Sequence, residues 1–236
     1  MKHLPPFALL VSPLFLAAAA PAATLLGPSP YLSATDSPFL PLPPETVYSY
    51  LEDFEDGALN TPGVTANAGT VLFPGALADS VDGDGGSIDG SGTTGHSWYS
   101  AGSTFVLFTF DSAALGGLPT FAGIVWTDVG FSDDAPSGPP FIGDITFEAF
   151  GAGGASLGTV SLNDYGDGAA GGGTAEDRFF GLFHDAGIES IRLSMNSTDW
   201  EMDHLQYARV VPEGGTAAAA LVLAGLGALA LRRRLN

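Results

Sequence analysis

The sequence contains no cysteine and only four histidines, one of which is His3 near the N-terminus. Without cysteine, no disulfide can hold the fold, and neither thiol catalysis nor a cysteine-ligated zinc site is available. The other histidines show no metal-ligand spacing such as H-E-x-x-H, which argues against a multi-histidine metal centre. Stability must therefore come from a packed apolar core, with or without a bound cation.

Basic residues are also scarce, and most of them lie near the ends of the chain. Between residues 23 and 211 the sequence has 25 carboxylates and three arginines, a formal net charge of −22. Such a body repels nucleic-acid phosphates and anionic lipid headgroups, so we expect no nucleic-acid partner. Divalent cations, neutral sugars and cationic partners remain compatible with this charge. An acidic exterior is also typical of a protein that has to stay soluble.

Amphipathic helices are missing from the pattern, since no segment before residue 216 has an apolar stripe of helical period. Hydrophobic residues make up 45% of the chain and include 16 Phe, enough for one packed core. Short apolar runs alternate with Gly, Asp and Ser, which is typical of strands joined by turns. The predicted strands cover residues 47–54, 70–73, 97–100, 104–110, 121–129, 144–150, 156–162, 178–184, 188–195 and 200–210.

This strand pattern predicts an all-β fold, an antiparallel β-sandwich and more specifically a jelly roll, over residues 47–210. The preceding residues 23–46 are rich in Pro and Ser. Such a composition predicts an extended lead-in without a core of its own.

The N-terminus has the pattern of a secretory signal peptide. Lys2 is followed by an apolar run over residues 7–20 and then by Ala20-Pro21-Ala22. A basic start, a short apolar stretch and an A-x-A site predict export and cleavage, with Ala20 and Ala22 at the cleavage site. The alternative is a membrane anchor, but the run is too short to span a bilayer. Residues 1–22 are therefore predicted to be a signal peptide.

The C-terminus combines a short apolar segment with a basic end. Residues 216–231 carry no charge and are followed by Arg232, Arg233 and Arg234. At 1.5 Å per residue, a helix of this length reaches roughly 24 Å, against a hydrocarbon layer of about 30 Å. We expect a single, marginal transmembrane helix with its arginines in the cytoplasm, which places the acidic body across the membrane.

Val211-Pro212-Glu213 precedes this helix and the arginine cluster. The three parts in this order, over residues 211–236, resemble the PEP-CTERM sorting signal of exported bacterial proteins. Gly214 departs from the usual motif, which has a second Pro at that position. The resemblance implies recognition by an exosortase-type processing enzyme, transient anchoring in the membrane, and delivery to the cell surface or extracellular matrix. An ordinary tail anchor is the alternative.

The body has two weaker resemblances. Phrases such as Glu176-Asp177-Arg178-Phe179-Phe180 are similar to those of uncharacterised exported proteins with the same C-terminal signal. Phe54-Glu55-Asp56-Gly57, together with Asp203 on the last strand, resembles the opening and closing phrases of jelly-roll carbohydrate-binding modules. That second resemblance implies adjacent first and last strands, with Glu55 and Asp203 sharing a structural Ca²⁺.

An Asp- and Gly-rich stretch over residues 79–90 is a second calcium candidate. Ca²⁺ prefers six to eight oxygen ligands, and alternating Asp and Gly allows carboxylates and carbonyls to converge. Asp82, Asp84 and Asp89 are the candidate ligands. The stretch departs from an EF-hand in its ligand positions and lacks flanking helices. A solvated Gly-rich loop without a bound ion remains the alternative.

The sequence offers two functional classes. The preferred hypothesis is a non-catalytic envelope or matrix protein that binds extracellular polysaccharide and calcium, since no catalytic motif is present. Trp98, Trp126 and Trp200, together with Tyr99, Tyr165 and Tyr207, could form a sugar-stacking platform or belong to the core. The alternative is an extracellular polysaccharide hydrolase on the same scaffold, with Glu148 and Glu201 as its carboxylate pair.

Overall fold

The computed structural model describes residues 22–75, 77–83, 94–131, 143–166 and 177–211. Strand is the main secondary structure in these ranges. The strands are β1 (Thr24–Pro30), β2 (Thr46–Glu52), β3 (Val64–Ala66), β4 (Thr70–Leu72), β5 (Ser97–Tyr99), β6 (Phe105–Phe110), β7 (Phe121–Phe131), β8 (Gly143–Gly151), β9 (Ala155–Tyr165), β10 (Arg178–Phe183), β11 (Ser190–Met195) and β12 (Asp199–Val210). A four-residue helix, α1 (Ser112–Leu115), and two short 3₁₀ turns (Ala34–Asp36 and Ala152–Gly154) connect them.

The strands form two antiparallel sheets, so the predicted all-β fold is confirmed. The seven-stranded sheet has the order β1-β10-β7-β12-β5-β4, with β2 paired to the free part of β12, and the five-stranded sheet has the order β3-β6-β11-β8-β9. All ten predicted strands are present. Two more strands, β1 and β3, were not predicted. Prolines interrupt β1, and β3 has only three residues.

One hydrophobic core is shared by the two sheets. On β6, Val106 and Phe108 are fully buried, and they alternate with half-buried residues in the pattern expected for a strand with one face inward. Rings from the two sheets meet within this core: Phe147 lies 6.3 Å from Phe180, and Phe110 lies 5.0 Å from Tyr207 between ring centroids. Each sheet therefore has an inner face toward the other sheet and an outer face away from it.

A second apolar cluster covers the outer face of the seven-stranded sheet. Tyr31 and Phe39 from the lead-in are buried there against Val125 and Phe179. In the lead-in over residues 23–46, the first part is extended and pairs with β10 as β1, and Tyr31 and Phe39 pack on the outer face of the sheet. The segment has no core of its own, but it completes one that the sheet supplies.

No helix in the described ranges is both long enough and apolar enough to cross a membrane. The predicted transmembrane helix over residues 216–231 lies outside those ranges, as do most of the predicted signal peptide and of the sorting signal.

Candidate functional site

Strand β12 changes phase in its middle and so places polar residues on the outer face of the seven-stranded sheet. Met202 and Leu205 both point into the shared core, although they are three residues apart. The pairing with β7 shifts register between Asp203 and Gln206. His204, between them, has a φ of 47°, in the left-handed region that non-glycine residues rarely adopt. This β-bulge leaves Asp203 on the outer face, paired in register with Val125.

Asp203 anchors a loop segment over residues 77–83, which we name the covering segment. Its Oδ2 accepts hydrogen bonds from the Ser80 hydroxyl and the Val81 backbone N–H, both at 3.0 Å, and its Oδ1 accepts from the His204 backbone N–H at 2.6 Å. Asp203 is fully buried. Burial raises the pKa of Asp203 to about 7, although nearby His204 and these donors oppose the rise.

Glu201 provides a second anchor for the same segment. Its Oε2 accepts a hydrogen bond from the Asp79 backbone N–H at 2.9 Å and another from the Ser97 hydroxyl. Burial raises the pKa of Glu201 to about 7, against the effect of both hydrogen bonds. Two buried carboxylates on one strand therefore hold the covering segment through its backbone and hydroxyl donors.

His204 links the covering segment to the lead-in through a chain of hydrogen bonds. Its Nε2 lies 3.2 Å from Oδ2 of Asp82, and its Nδ1 lies 3.1 Å from the Tyr31 hydroxyl. Gln206 Nε2 donates to the same hydroxyl at 2.7 Å, so the Tyr31 hydrogen is available to Nδ1. Burial alone would lower the pKa of His204, but the carboxylates of Asp203 and Asp82 outweigh it and raise that pKa. The His204 hydrogen bond in turn lowers the pKa of Asp82.

Asp82, Asp203 and His204 form a possible metal-ligand group within the described residues. One ligand-type atom of each lies within 4.8 Å of those of the other two. Carboxylate oxygens suit Ca²⁺, whereas an imidazole nitrogen suits a transition ion. The structure thus brings together two of the predicted calcium ligands and adds His204, which the sequence did not single out. The other two loop candidates, Asp84 and Asp89, lie outside the described residues.

In the structure, Glu55 has a partner that the sequence did not indicate. It accepts from the His96 backbone N–H, and its Oε2 lies 3.2 Å from the His96 ring Nδ1. It is not a member of the group that contains Asp203. The implied adjacency of the first and last predicted strands is nevertheless present, because β2 pairs with β12 along Leu205 to Val210.

The sequence did not identify Glu52 as a special residue. Its side chain is buried and accepts backbone hydrogen bonds from Phe54, at 3.2 Å, and from Asn60 and Thr61, each at 2.8 Å. Phe54 has a φ of 57°, so the backbone turns sharply directly after β2. Glu52 therefore stabilises the Phe54-Glu55-Asp56-Gly57 loop from within. An acidic residue at a strand end beside a Gly-containing turn is the only sequence signal for such a role.

The tryptophans and the proposed carboxylate pair lie apart from a common site. Trp98, Trp126 and Trp200 are at most 8% exposed and belong to the shared core, so they do not form a sugar-stacking platform. Glu201 lies on the outer face of the seven-stranded sheet. Glu148 alternates with inward-facing, buried residues along β8 and therefore lies on the outer face of the five-stranded sheet. The whole core separates these two carboxylates, so they cannot flank one glycosidic bond.

Little of the two terminal signals falls within the described residues. Ala22 is exposed just before β1, and the backbone N–H of Val211 donates to the Glu45 carbonyl at 3.3 Å. Ala20 and the remaining sorting-signal residues, Pro212, Glu213 and Arg232 to Arg234, lie outside those ranges.

No known family profile matches this chain, and no curated protein matches it in sequence.

Proposed function

We propose that this chain is an exported, non-catalytic protein of the cell envelope or extracellular matrix, sorted by a PEP-CTERM and exosortase-type system, with a β-sandwich body of the jelly-roll type. The body binds extracellular polysaccharide and uses calcium as a structural ion. Export and sorting are supported by the sequence of the two ends. The geometry supports a stable acidic scaffold.

The observation that carries this proposal is the use of the buried carboxylates. Glu52, Glu201 and Asp203 all accept hydrogen bonds from backbone N–H groups, and thereby hold loops onto the sheet. A catalytic carboxylate needs to face the substrate, whereas these three are at most 3% exposed. The arrangement supports structural roles for the acidic residues that the fold buries.

Calcium is proposed at the end of the covering segment, with Asp82 and Asp203 as ligands. Asp82 is exposed and lies within ligand distance of Asp203, so an ion can approach from solvent. A bound ion adds its binding free energy to the stability of the folded state. We expect EDTA to lower the melting temperature, Ca²⁺ to restore it, and Asp82→Asn to remove the response. No effect of EDTA, or restoration by Zn²⁺ but not by Ca²⁺, would contradict this.

Localisation tests the export part of the proposal. The full chain, with an epitope inserted after Gly102, is expressed in a bacterium that has an exosortase and in a strain that lacks the exosortase gene. We expect extracellular protein shortened at both ends in the first strain, and membrane-retained protein with an intact C-terminus in the second. A chain found in the cytosol with both ends uncut would refute export.

A polysaccharide panel separates the binder from the hydrolase. The full chain in mild detergent is incubated with each polysaccharide, and both retention and soluble products are measured. Retention without products supports the proposal. Soluble sugars released over time would favour the hydrolase.

A further inference from the structure

We propose that the outer face of the five-stranded sheet is the polysaccharide-binding surface, and that its ligand is a neutral glycan chain. This inference rests on the glycan-binding role proposed above and adds the location of the site and the class of sugar. The surface, named here the open face, has an apolar floor with a donor and an acceptor beside it; it comprises Phe105, Leu107, Glu148, Phe150 and Arg192.

Strand alternation presents apolar side chains on the open face. Phe105 and Leu107 on β6 and Phe150 on β8 are half-buried, in alternation with fully buried core residues. They line a shallow cavity of about 280 Å³ together with Gly154, Ser190 and Arg192. An apolar, partly aromatic floor with a few polar groups is the usual composition of a small-molecule site.

Arg192 supplies hydrogen-bond donors at this cavity. Its Cζ lies 4.6 Å from the centroid of the Phe105 ring, so a cation–π contact holds the guanidinium over the apolar floor. Within the described residues, the buried Nε of Arg192 has no hydrogen-bond partner, and Arg192 forms no salt bridge. An acceptor on a ligand would satisfy donors that the protein itself leaves unused.

Glu148 supplies the matching acceptor. It pairs in register with Arg192 across β8 and β11, which places the two Cβ atoms about 5 Å apart. Its Oε1 accepts from the Ser156 hydroxyl at 2.7 Å. A donor beside an acceptor fits two neighbouring hydroxyls of a sugar ring, while the CH groups of the ring contact the apolar floor. Further along the same face, the hydroxyls of Thr146 and Ser161 lie 3.0 Å apart and extend the polar border.

Charge favours a neutral ligand over an acidic one. The positive charge of Arg192 faces the negative charge of Glu148, so the open face has no excess positive charge at its centre. The body as a whole has 25 carboxylates and three arginines, and therefore repels a polyanion. A uronate polymer would meet this repulsion, whereas a neutral glucan or mannan would not.

Affinity electrophoresis of the full chain in mild detergent tests the proposal. The gels contain hydroxyethyl cellulose, dextran, mannan or alginate, and the variants are Arg192→Ala, Arg192→Lys and Phe105→Ala. Val47→Ala is the control, because Val47 is 62% exposed on β2 of the other sheet. We expect at least one neutral polysaccharide to retard the wild type. The dissociation constant should rise at least tenfold in the three variants and stay unchanged in the control.

Three results would overturn the inference. Equal retardation of the wild type and all three variants would place the glycan elsewhere, and would leave the proposed glycan-binding function intact. Retardation by alginate alone would refute the neutral ligand. No retardation in any gel would refute both the open face and glycan binding. Arg192→Lys keeps the charge and the aliphatic stem, so it serves if Arg192→Ala fails to fold.

Discussion

At the scale of single residues, Glu201 couples folding to pH. Burial raises the pKa of Glu201 from 4.5 to about 7 in the folded chain. As the pH rises, the unfolded chain therefore loses this proton first, and the stabilisation that is complete below pH 4.5 is lost between pH 4.5 and 7. The raised pKa of Asp203 and of His204 acts in the same direction. We therefore expect the free energy of unfolding to be larger at pH 5 than at pH 8.

Glu201→Gln should reduce this pH dependence without abolishing it. The amide keeps an acceptor for the Asp79 N–H but does not titrate, so the pH 5 to pH 8 difference should shrink by about 1–3 kcal/mol. Urea denaturation at both pH values gives the difference. Glu148→Gln, which also removes one carboxylate but from the open face, should retain the wild-type dependence. If both variants showed the same change in the free energy of unfolding between pH 5 and pH 8, overall charge and not the burial of Glu201 would determine the pH dependence.

Residue identity alone could predict some of these roles and not others. Asp203 was predicted to be a calcium ligand; the structure places it beside Asp82 and His204, and its role as a ligand stays a prediction. His204 could not be predicted, since its position depends on a bulge that reverses the phase of β12. The contact of Glu55 with His96 could not be predicted, because sequence spacing does not tell which loop returns to which strand, and the chain bends sharply at Phe54.

At the scale of elements, the covering segment is fixed by a close approach at Gly95. Its φ is 70°, and a Cβ there would lie 2.3 Å from Oγ of Ser80 and 3.0 Å from Oε1 of Glu55. Gly95→Ala should therefore lower the free energy of unfolding by at least about 2 kcal/mol, from backbone strain together with the clash.

Gly102→Ala is the matched control for Gly95→Ala. Gly102 has a φ of 82°, but a Cβ added there would have no other atom within 4 Å. Only the strain of about 1 kcal/mol is expected there. Chemical denaturation measures both losses. Equal losses would show that the segment does not pack against Gly95.

The lead-in is an element that stabilises the sheet from outside. Phe39 is 6% exposed, and its ring centroid lies 5.2 Å from that of Phe121 and 5.3 Å from that of Phe179. Phe39→Ala should cost about 3 kcal/mol or more, because it removes a buried ring and leaves a cavity. The neighbouring Leu40 is 48% exposed, so Leu40→Ala should change the melting temperature little. A Phe39→Ala variant as stable as Leu40→Ala would contradict the docking of the lead-in.

The sequence predicted strands in which inward-facing and outward-facing side chains alternate, and it missed strands without this alternation. β6 alternates along its full length, and it was found from its sequence. β1 contains Gly27, Pro28 and Pro30, residues that disfavour strand, and its pairing with β10 stabilises it in an extended form. β1 therefore depends on contacts with a strand that is distant in sequence, which a local sequence pattern does not indicate.

At the scale of the whole molecule, self-repulsion of the acidic body opposes folding. With 25 carboxylates against three arginines between residues 23 and 211, screening should favour the compact state. Raising monovalent salt shortens the Debye length from about 30 Å at 0.01 M to about 8 Å at 0.15 M. We expect the urea midpoint, measured in EDTA, to rise over this range equally in NaCl and choline chloride. A rise in NaCl alone would instead indicate bound sodium, and no rise would contradict the repulsion.

The step of three residues from Met202 to Leu205 also limits how this strand can vary in length. Inward residues of β12 follow at spacings of two, three and two, from Trp200 to Tyr207. Deleting one residue inside that step would leave a spacing of two, so Leu205 and Tyr207 would still point inward, but the bulge that places His204 beside Asp82 would be lost. Lineages descended from this chain that keep this polar cluster should therefore conserve the length of the last strand and accept insertions and deletions in the loops.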